Sequence, residues 1–431
     1  MKRSLGLLAG LLVACVPAPA PSAATSPRQG SDVIAIVGGL VKPMNGPDIP
    51  GGTVLIKDGK ILEVGKDVAV PAGATVVDAK GKIVMPGLID SNTHIGLNEI
   101  EMVQATRDDE EGTDVVTPQV WVGDAYTPAS EVIPVTRMNG ITSVVVAPGE
   151  NNVIGGISML AELDGRLTSE LVVKARVGMH LSLGEPPKEK WGDKNVVQTR
   201  MGIVAKIREV LTKAQEYARK LEEYEKKKDD PKAEKPGYDA KNLALVPVVK
   251  GEMLVIVRAH KADDIRTALR LADEFKLKIV LSHATEAWKL ADELAKRKIA
   301  VLVGPINEQP SQIETAGATY ENADILFRAG VKIAIQTGDT HNVRNLPFMA
   351  GLACAYGLPE EEALKAITVN PAEIFGVSDQ VGVLAKGARA DVVVFDGSPI
   401  QPKTGVVRVY IRGRGIDLTS RQKLLMEKWK K

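Results

Sequence analysis

Regular patterning begins at Val33, where short apolar runs alternate with glycine-marked turns. Val33–Val37 runs into Gly38-Gly39, Thr53–Ile56 leads to Lys57-Asp58-Gly59-Lys60, and Ile61–Val64 follows. An Asp-Gly pair between two apolar runs predicts a hairpin, since the favoured two-residue turn needs positive φ at its centre. Thr75–Asp78, a turn at Ala79-Lys80-Gly81 and the pair Ile83-Val84 complete a small β unit. A second β-rich piece stands near the other end: Ala390–Phe395, a turn at Asp396-Gly397, then Val406–Ile411. Neither piece buries much apolar surface alone. Together they predict one composite β-sandwich, built from residues 31–84 and 376–418.

Between them, over residues 85–375, the period changes. Strand-like runs at Ile141–Val146, Leu254–Val257, Lys278–Leu281, Ile299–Val303 and Val331–Ile335 are separated by amphipathic helical stretches, such as Asp263–Glu274, Glu286–Lys296 and Glu360–Ala366. Alternation of β and α over some 250 residues or more predicts a (β/α)8 TIM barrel. Arg208–Asp230, rich in both charges, reads as a long solvated helix ending near Pro231.

The first thirty residues have another character. Lys2 and Arg3 precede ten apolar residues, Leu5–Ala14, a helix about 15 Å long and too short to span a bilayer. This is the pattern of a secretory leader. The run closes Leu12-Val13-Ala14-Cys15, which resembles a bacterial lipobox, and Val16 is not the Asp of an inner-membrane retention signal. A Pro-, Ala- and Ser-rich tether follows. The expectation is export to the periplasm or the outer membrane with a lipid anchor at Cys15; cleavage after an alanine, with Cys15 lost, is the alternative.

Composition narrows the function classes. The 55 Lys and Arg nearly balance the 54 Asp and Glu, which argues against a nucleic-acid partner. Two cysteines, Cys15 and Cys354, make neither a disulfide framework nor a thiolate metal site. Cys354, within an apolar run, reads as a packed thiol. The expected partner is a small-molecule substrate, with homo-oligomerisation open.

The segment Val84-Met-Pro-Gly-Leu-Ile-Asp-Ser-Asn-Thr-His-Ile-Gly96 resembles the entry strand of the amidohydrolase superfamily, in particular relatives of imidazolonepropionase. Further stretches carry the same resemblance: Ala147–Gly156, Gly184–Lys188, Thr199–Gly202, Ser282–Ala287, Ala366–Ala372 and Val381–Asp391. It covers nearly everything after residue 33. The resemblance implies a barrel whose mouth holds divalent metal on histidines and an aspartate, and hydrolysis of an amide-type C–N bond. The physics of that design is simple. Residues two apart on a strand share a face, so paired imidazoles converge on one ion. The ion acidifies a bound water, and the aspartate relays its proton to the leaving nitrogen.

Three positions depart from the family pattern: Asn92 stands for the first histidine, His180 for the fourth-strand lysine, and Arg258 for the fifth-strand histidine. His94, His283 and Asp339 match it. Two metals are therefore not expected. One reading is a remodelled centre with a single divalent ion, zinc, on His94, His180, His283 and Asp339, with His260 as a further ligand or acid–base partner; Asp339 and His283 would do the catalysis. The other reading is a binding module or non-catalytic subunit, with Asn92 and Arg258 holding a small anionic ligand. Arg258 opposes a dication unless it pairs with an acid such as Asp263 or Asp264. Glu185 and Lys188 are candidate substrate contacts, and Asp114 is a weaker one. Arg200 fits either substrate contact or packing on a carboxylate. His341 reads as structural, and Gly155-Gly156 as a turn near the pocket.

Overall fold

The computed structural model describes residues 33–307 and 309–430, so the leader-like segment and Cys15 lie outside the described residues. Strands β1 (Val33–Val41), β2 (Ile49–Lys57), β3 (Lys60–Gly65), β4 (Thr75–Asp78) and β5 (Ile83–Pro86) follow one another directly. The ring strands come next: β6 (Leu88–Thr93), β7 (Ile141–Val146), β8 (Ile154–Ile157), β9 (Met159–Glu162), β10 (Val172–Lys174) and β11 (Gly178–Ser182). They continue with β12 (Leu254–Ala259), β13 (Ile279–His283), β14 (Val301–Val303) and β15 (Ile333–Ile335). Finally β16 (Val392–Phe395), β17 (Val406–Ile411) and β18 (Arg414–Gly415) return to the first group.

Strands from both chain ends form a single eight-stranded sheet in the order β18-β17-β16-β5-β1-β2-β3, with β4 paired to β1. The composite β unit is joined where β5 and β16 meet edge to edge, through an antiparallel ladder from Ile83↔Phe395 to Pro86↔Val392. One face of this sheet is covered largely by its own residues, Ile36, Val54, Ile56, Val84, Val392 and Val394. Alternation sends Val393, Phe395, Val409 and Ile411 into the main core.

The middle of the chain makes a four-stranded sheet, β10-β9-β7-β6, and a six-stranded one, β15-β14-β13-β12-β11-β8. Their inner faces share one apolar layer: Ile89, Val145, Leu160, Val177, Ile256, Val280, Leu302 and Ala334, with Phe375 and Val377 packed on it. Nearly every stave supplies one residue. That is the packed interior of a TIM-barrel-like α/β ring. Residues one step away, such as Val255, Val257 and Leu281, face outward against helices Arg200–Lys227 and Ala262–Phe275.

Two features depart from the expected regular barrel. First, no ladder joins β6 to β15. The seam is held by Ser91 Oγ donating to the Ile335 carbonyl at 2.9 Å, Thr337 N–H to Asp90 Oδ1 at 3.1 Å and Gly338 N–H to the Asn92 carbonyl at 3.0 Å. Second, the third stave runs backwards: β9 is antiparallel to β7 and β8 antiparallel to β11. Gly155-Gly156 therefore lies in strand β8 and makes no turn. Gly156 has φ +132° and leaves no room for a Cβ, which would stand 2.7 Å from the Val120 carbonyl oxygen. Among the described residues no helix is long and apolar enough to cross a membrane.

Candidate functional site

Two residues above the apolar layer, the inward positions turn polar. Arg258 follows Ile256, Ser282 follows Val280 and Gln336 follows Ala334; His180 pairs in register with Ile256. Just past the strand ends stand His94, His260 and Asp339, with His283 closing β13. His94, Arg258, His260, His283 and Asp339 line one cavity of about 480 Å³ at the mouth. His180 and Asn92 do not line it. Asn92 is 2% exposed and its Oδ1 has no hydrogen-bond partner; His180 Nε2 is likewise buried without one.

The centre of the site is a carboxylate that sequence reasoning passed over. Glu150, in the loop after β7, accepts from His283 Nε2 through Oε1 at 2.5 Å and from Arg258 Nε through Oε2 at 2.7 Å. Burial pushes this carboxyl upward, but the facing His283 and Arg258 outweigh it and hold it well below its ordinary range. An ionised carboxylate only accepts, so the His283 proton in this contact sits on Nε2. In the neutral ring Nδ1 then keeps a lone pair, and that atom is buried with no partner.

Arg258 does not reach Asp263 or Asp264. Its Nη2 donates to Glu314 Oε1 at 2.6 Å and its Nη1 to the Leu183 carbonyl at 3.2 Å, while Arg200 takes Asp264 at 2.9 and 3.0 Å. The excess positive charge expected from Arg258 is thus matched by two carboxylates. The fork is already engaged, which weakens its proposed part in holding an anionic ligand or substrate. Glu314 is fully buried, and Glu185 meets this network only through its backbone N–H, 2.8 Å from Glu314 Oε2. Glu185 and Lys188 do not line the cavity; Pro186 between them does.

Burial disfavours the charged form of two further histidines, His180 and His260. Burial first, then Glu150 and His94 acting in opposite senses, leave His180 at about 3. Burial, Arg258 and His283 press His260 down to about 2. His260 Nδ1 shares a 2.6 Å hydrogen bond with Thr285 Oγ1, and its ring centroid is 5.0 Å from that of His283. His341 Nε2 donates to the Glu99 carbonyl at 3.0 Å, a structural role. Asp114 pairs with Lys241 away from the cavity.

The donor chemistry suits a divalent ion in part: His94 bonds the Ala147 carbonyl through Nδ1 at 2.9 Å, which frees Nε2, and His180 Nε2 is unpartnered. The disposition does not fit. Among the described residues no three His, Cys, Asp or Glu side chains are placed to hold one metal ion. Asp339, expected as ligand and base, spends its carboxylate on the backbone N–H groups of His341 and Asn342, at 2.7 and 3.1 Å, and on Asn342 Nδ2 at 2.8 Å. His283 Nε2 is turned to Glu150. The expected ligand set of His94, His180, His260, His283 and Asp339 is therefore not assembled around a common point.

Glu150 carried a readable signal, since a polar residue four positions past a barrel strand lies where such folds place their chemistry. Glu314 carried none; it sits in a short turn, Ile313–Thr315, ten residues beyond β14.

Comparison with known proteins agrees with this architecture. Residues 251–416 match the model of the Amidohydrolase family. The chain is similar to a solved amidohydrolase from Thermotoga maritima MSB8, with 34% identity, TM-score 0.84, and coverage of 89% of this chain and 99% of that one. It is 26% identical over 395 residues to the imidazolonepropionase of Caldanaerobacter subterraneus subsp. tengcongensis, spanning 82% of this chain and 88% of that protein. It is 25% identical over 390 residues to Amidohydrolase tasK of Hapsidospora irregularis, spanning 84% of this chain but 39% of that protein.

Proposed function

Because the chain belongs to the amidohydrolase superfamily, we propose that it hydrolyses the C–N bond of a small amide, cyclic amide or dipeptide-like substrate, with Glu150 and His283 as its reacting pair. The observation that carries this reading is the 2.5 Å contact between Glu150 Oε1 and His283 Nε2 inside the mouth cavity. Glu150 fixes the tautomer and orientation of the ring, as a carboxylate does for a general-base histidine. The reaction requires a water to reach His283 Nδ1, an atom buried here; the ring then takes a proton from that water as its oxygen bonds the carbonyl carbon. The same proton then passes to the nitrogen as the C–N bond breaks. Arg258 is a positioning residue: gripping the second Glu150 oxygen, it keeps the carboxylate from rotating away.

A second reading retains one divalent ion, zinc, on the Nε2 atoms of His94 and His180, and requires further donors to leave the partners they have here. Such an ion would supply an acidified water. The leader-like residues Lys2–Cys15 support placing the activity outside the cytosol on a lipid anchor.

The test is a panel of amides, cyclic amides and dipeptides assayed with protein stripped by a chelator, with elemental analysis alongside. Turnover that survives stripping and is lost in Glu150→Gln supports the dyad. Turnover restored only by zinc, at one ion per chain and not in His180→Asn, supports the second reading. Absence of turnover across the panel under both conditions overturns hydrolysis in favour of a binding module.

A further inference from the structure

His283 and Pro305 line two spaces at once. On one side lies the charged mouth cavity; on the other is a separate chamber of about 180 Å³. Val303, Pro305, Ile306, Ala318 and Ala323 give the chamber apolar walls, and Tyr320 borders it. Several of its polar side chains are partnered within the protein, and Gln309 and Tyr320 add polar groups to its lining. Thr285 Oγ1 bonds His260 Nδ1 at 2.6 Å; Asn322 accepts from the Trp288 N–H at 3.0 Å and donates to the Ala284 carbonyl at 3.1 Å; Thr319 Oγ1 accepts from the Glu321 N–H at 3.3 Å. Tyr320 leans on Tyr356 with ring centroids 4.7 Å apart. The chamber therefore sets a hydrocarbon wall beside a few polar groups, at His283, Gln309, Thr319 and Tyr320. A hydrocarbon group seated against Val303, Pro305, Ile306, Ala318 and Ala323 would leave water without having to break a hydrogen bond. Apolar cavities of about 150 Å³ are large enough for a benzene ring.

We propose that this chamber is the specificity subsite for an apolar group, of phenyl or branched-alkyl size, carried next to the scissile amide, whose polar part occupies the charged cavity on the other side of His283. This deepens the hydrolase reading and rests on it only for what happens after binding. The substrate class it assigns is two-faced: polar or charged on the Glu150 side, and hydrocarbon on the Pro305 side.

The experiment measures binding apart from turnover. The wild-type chain is titrated with phenylacetamide and with acetamide by calorimetry or saturation-transfer NMR, and the same two compounds are assayed for hydrolysis. Phenylacetamide is expected to bind at least about tenfold more tightly than acetamide. Ala323→Phe, which fills the chamber, is expected to abolish that difference and leave acetamide unchanged. Ala323 is only 1% exposed, so Thr319→Trp, which fills the space from its rim, provides a second variant, and thermal unfolding checks both. Equal binding of the two amides to the wild-type chain, or a preference that survives both fillings, overturns the subsite. If the preference is present but neither amide is cleaved, the subsite stands and the hydrolase reading falls.

Discussion

Glu150 and His283 are 133 residues apart in the chain, yet Oε1 of one lies 2.5 Å from Nε2 of the other. The two arrive from different staves, so neither helix periodicity nor local turn chemistry brings them together; the ring does. Replacing Glu150 by Gln keeps the shape and removes the charge that orients the imidazole. Amide hydrolysis should fall by about 10² to 10⁴ in kcat with KM much less affected. Steady-state kinetics on the best substrate of the panel checks this. A loss below tenfold would remove Glu150 from the mechanism.

Arg258 and Glu314 form a buried pair, with side chains 7% and 0% exposed. Removing Arg258 strands the Glu314 charge away from water, and removing the Glu314 charge leaves Arg258 with Glu150 as its one carboxylate partner. Glu314→Gln or Arg258→Met alone should cost about 3–5 kcal/mol of unfolding free energy. The double variant should recover part of that loss, because the apolar stem of Met fills much of the arginine's volume. Urea unfolding of the three variants provides the measurement; additive losses would contradict the pairing.

Asp90 is fully buried at the seam, and burial raises its pKa from 3.8 to about 7 against the hydrogen bonds from Thr337 and Asn92. A carboxyl raised on folding holds its proton longer in the native state than in the unfolded chain. Its contribution is therefore fully present below about pH 4 and is lost as pH rises through about 7. Asp90→Asn, which keeps an acceptor for the backbone N–H groups, should gain stability relative to wild type across that window, on the order of 1 kcal/mol per pH unit. Unfolding curves at several pH values test the slope. A difference independent of pH would show that Asp90 is not titrating there.

Much of the fold was legible because strand runs such as Ile141–Val146 and Ile279–His283 carry apolar residues on both faces, as strands buried between helices do. The reversed stave was not. Ile154-Gly155-Gly156-Ile157 has too few side chains to display a period, and its direction depends on the partner strands. In the site, histidines past strand ends were legible from the family pattern. The pairings of Arg258 were not, because Glu150 and Glu314 reach it from separate loops and charge alone named nearer acids such as Asp264.

Gly156 fits where it does only because it has no side chain, and its φ of +132° is strained for any other residue. Gly156→Ala should cost about 1–3 kcal/mol. The variant should also lower activity more than a surface Gly→Ala control, since β8 anchors the loop that carries Glu150. Thermal unfolding and kcat, measured together, separate the two effects.

The reversal of the third stave has a consequence for how the carboxylate is held. In an all-parallel ring, the chain leaving β7 would have to travel down the outside before starting its neighbour, and any acid on that excursion would hang from a long arm. Here residues 147–153 link the top of β7 to the top of β8 directly. Asn152 pins this short span, bonding the Glu111 carbonyl at 2.7 Å and the Trp191 indole at 2.9 Å. The acid is thus mounted on a bracket bolted at both feet to the wall, and its aim is set by the masonry of the ring rather than by a swinging gate.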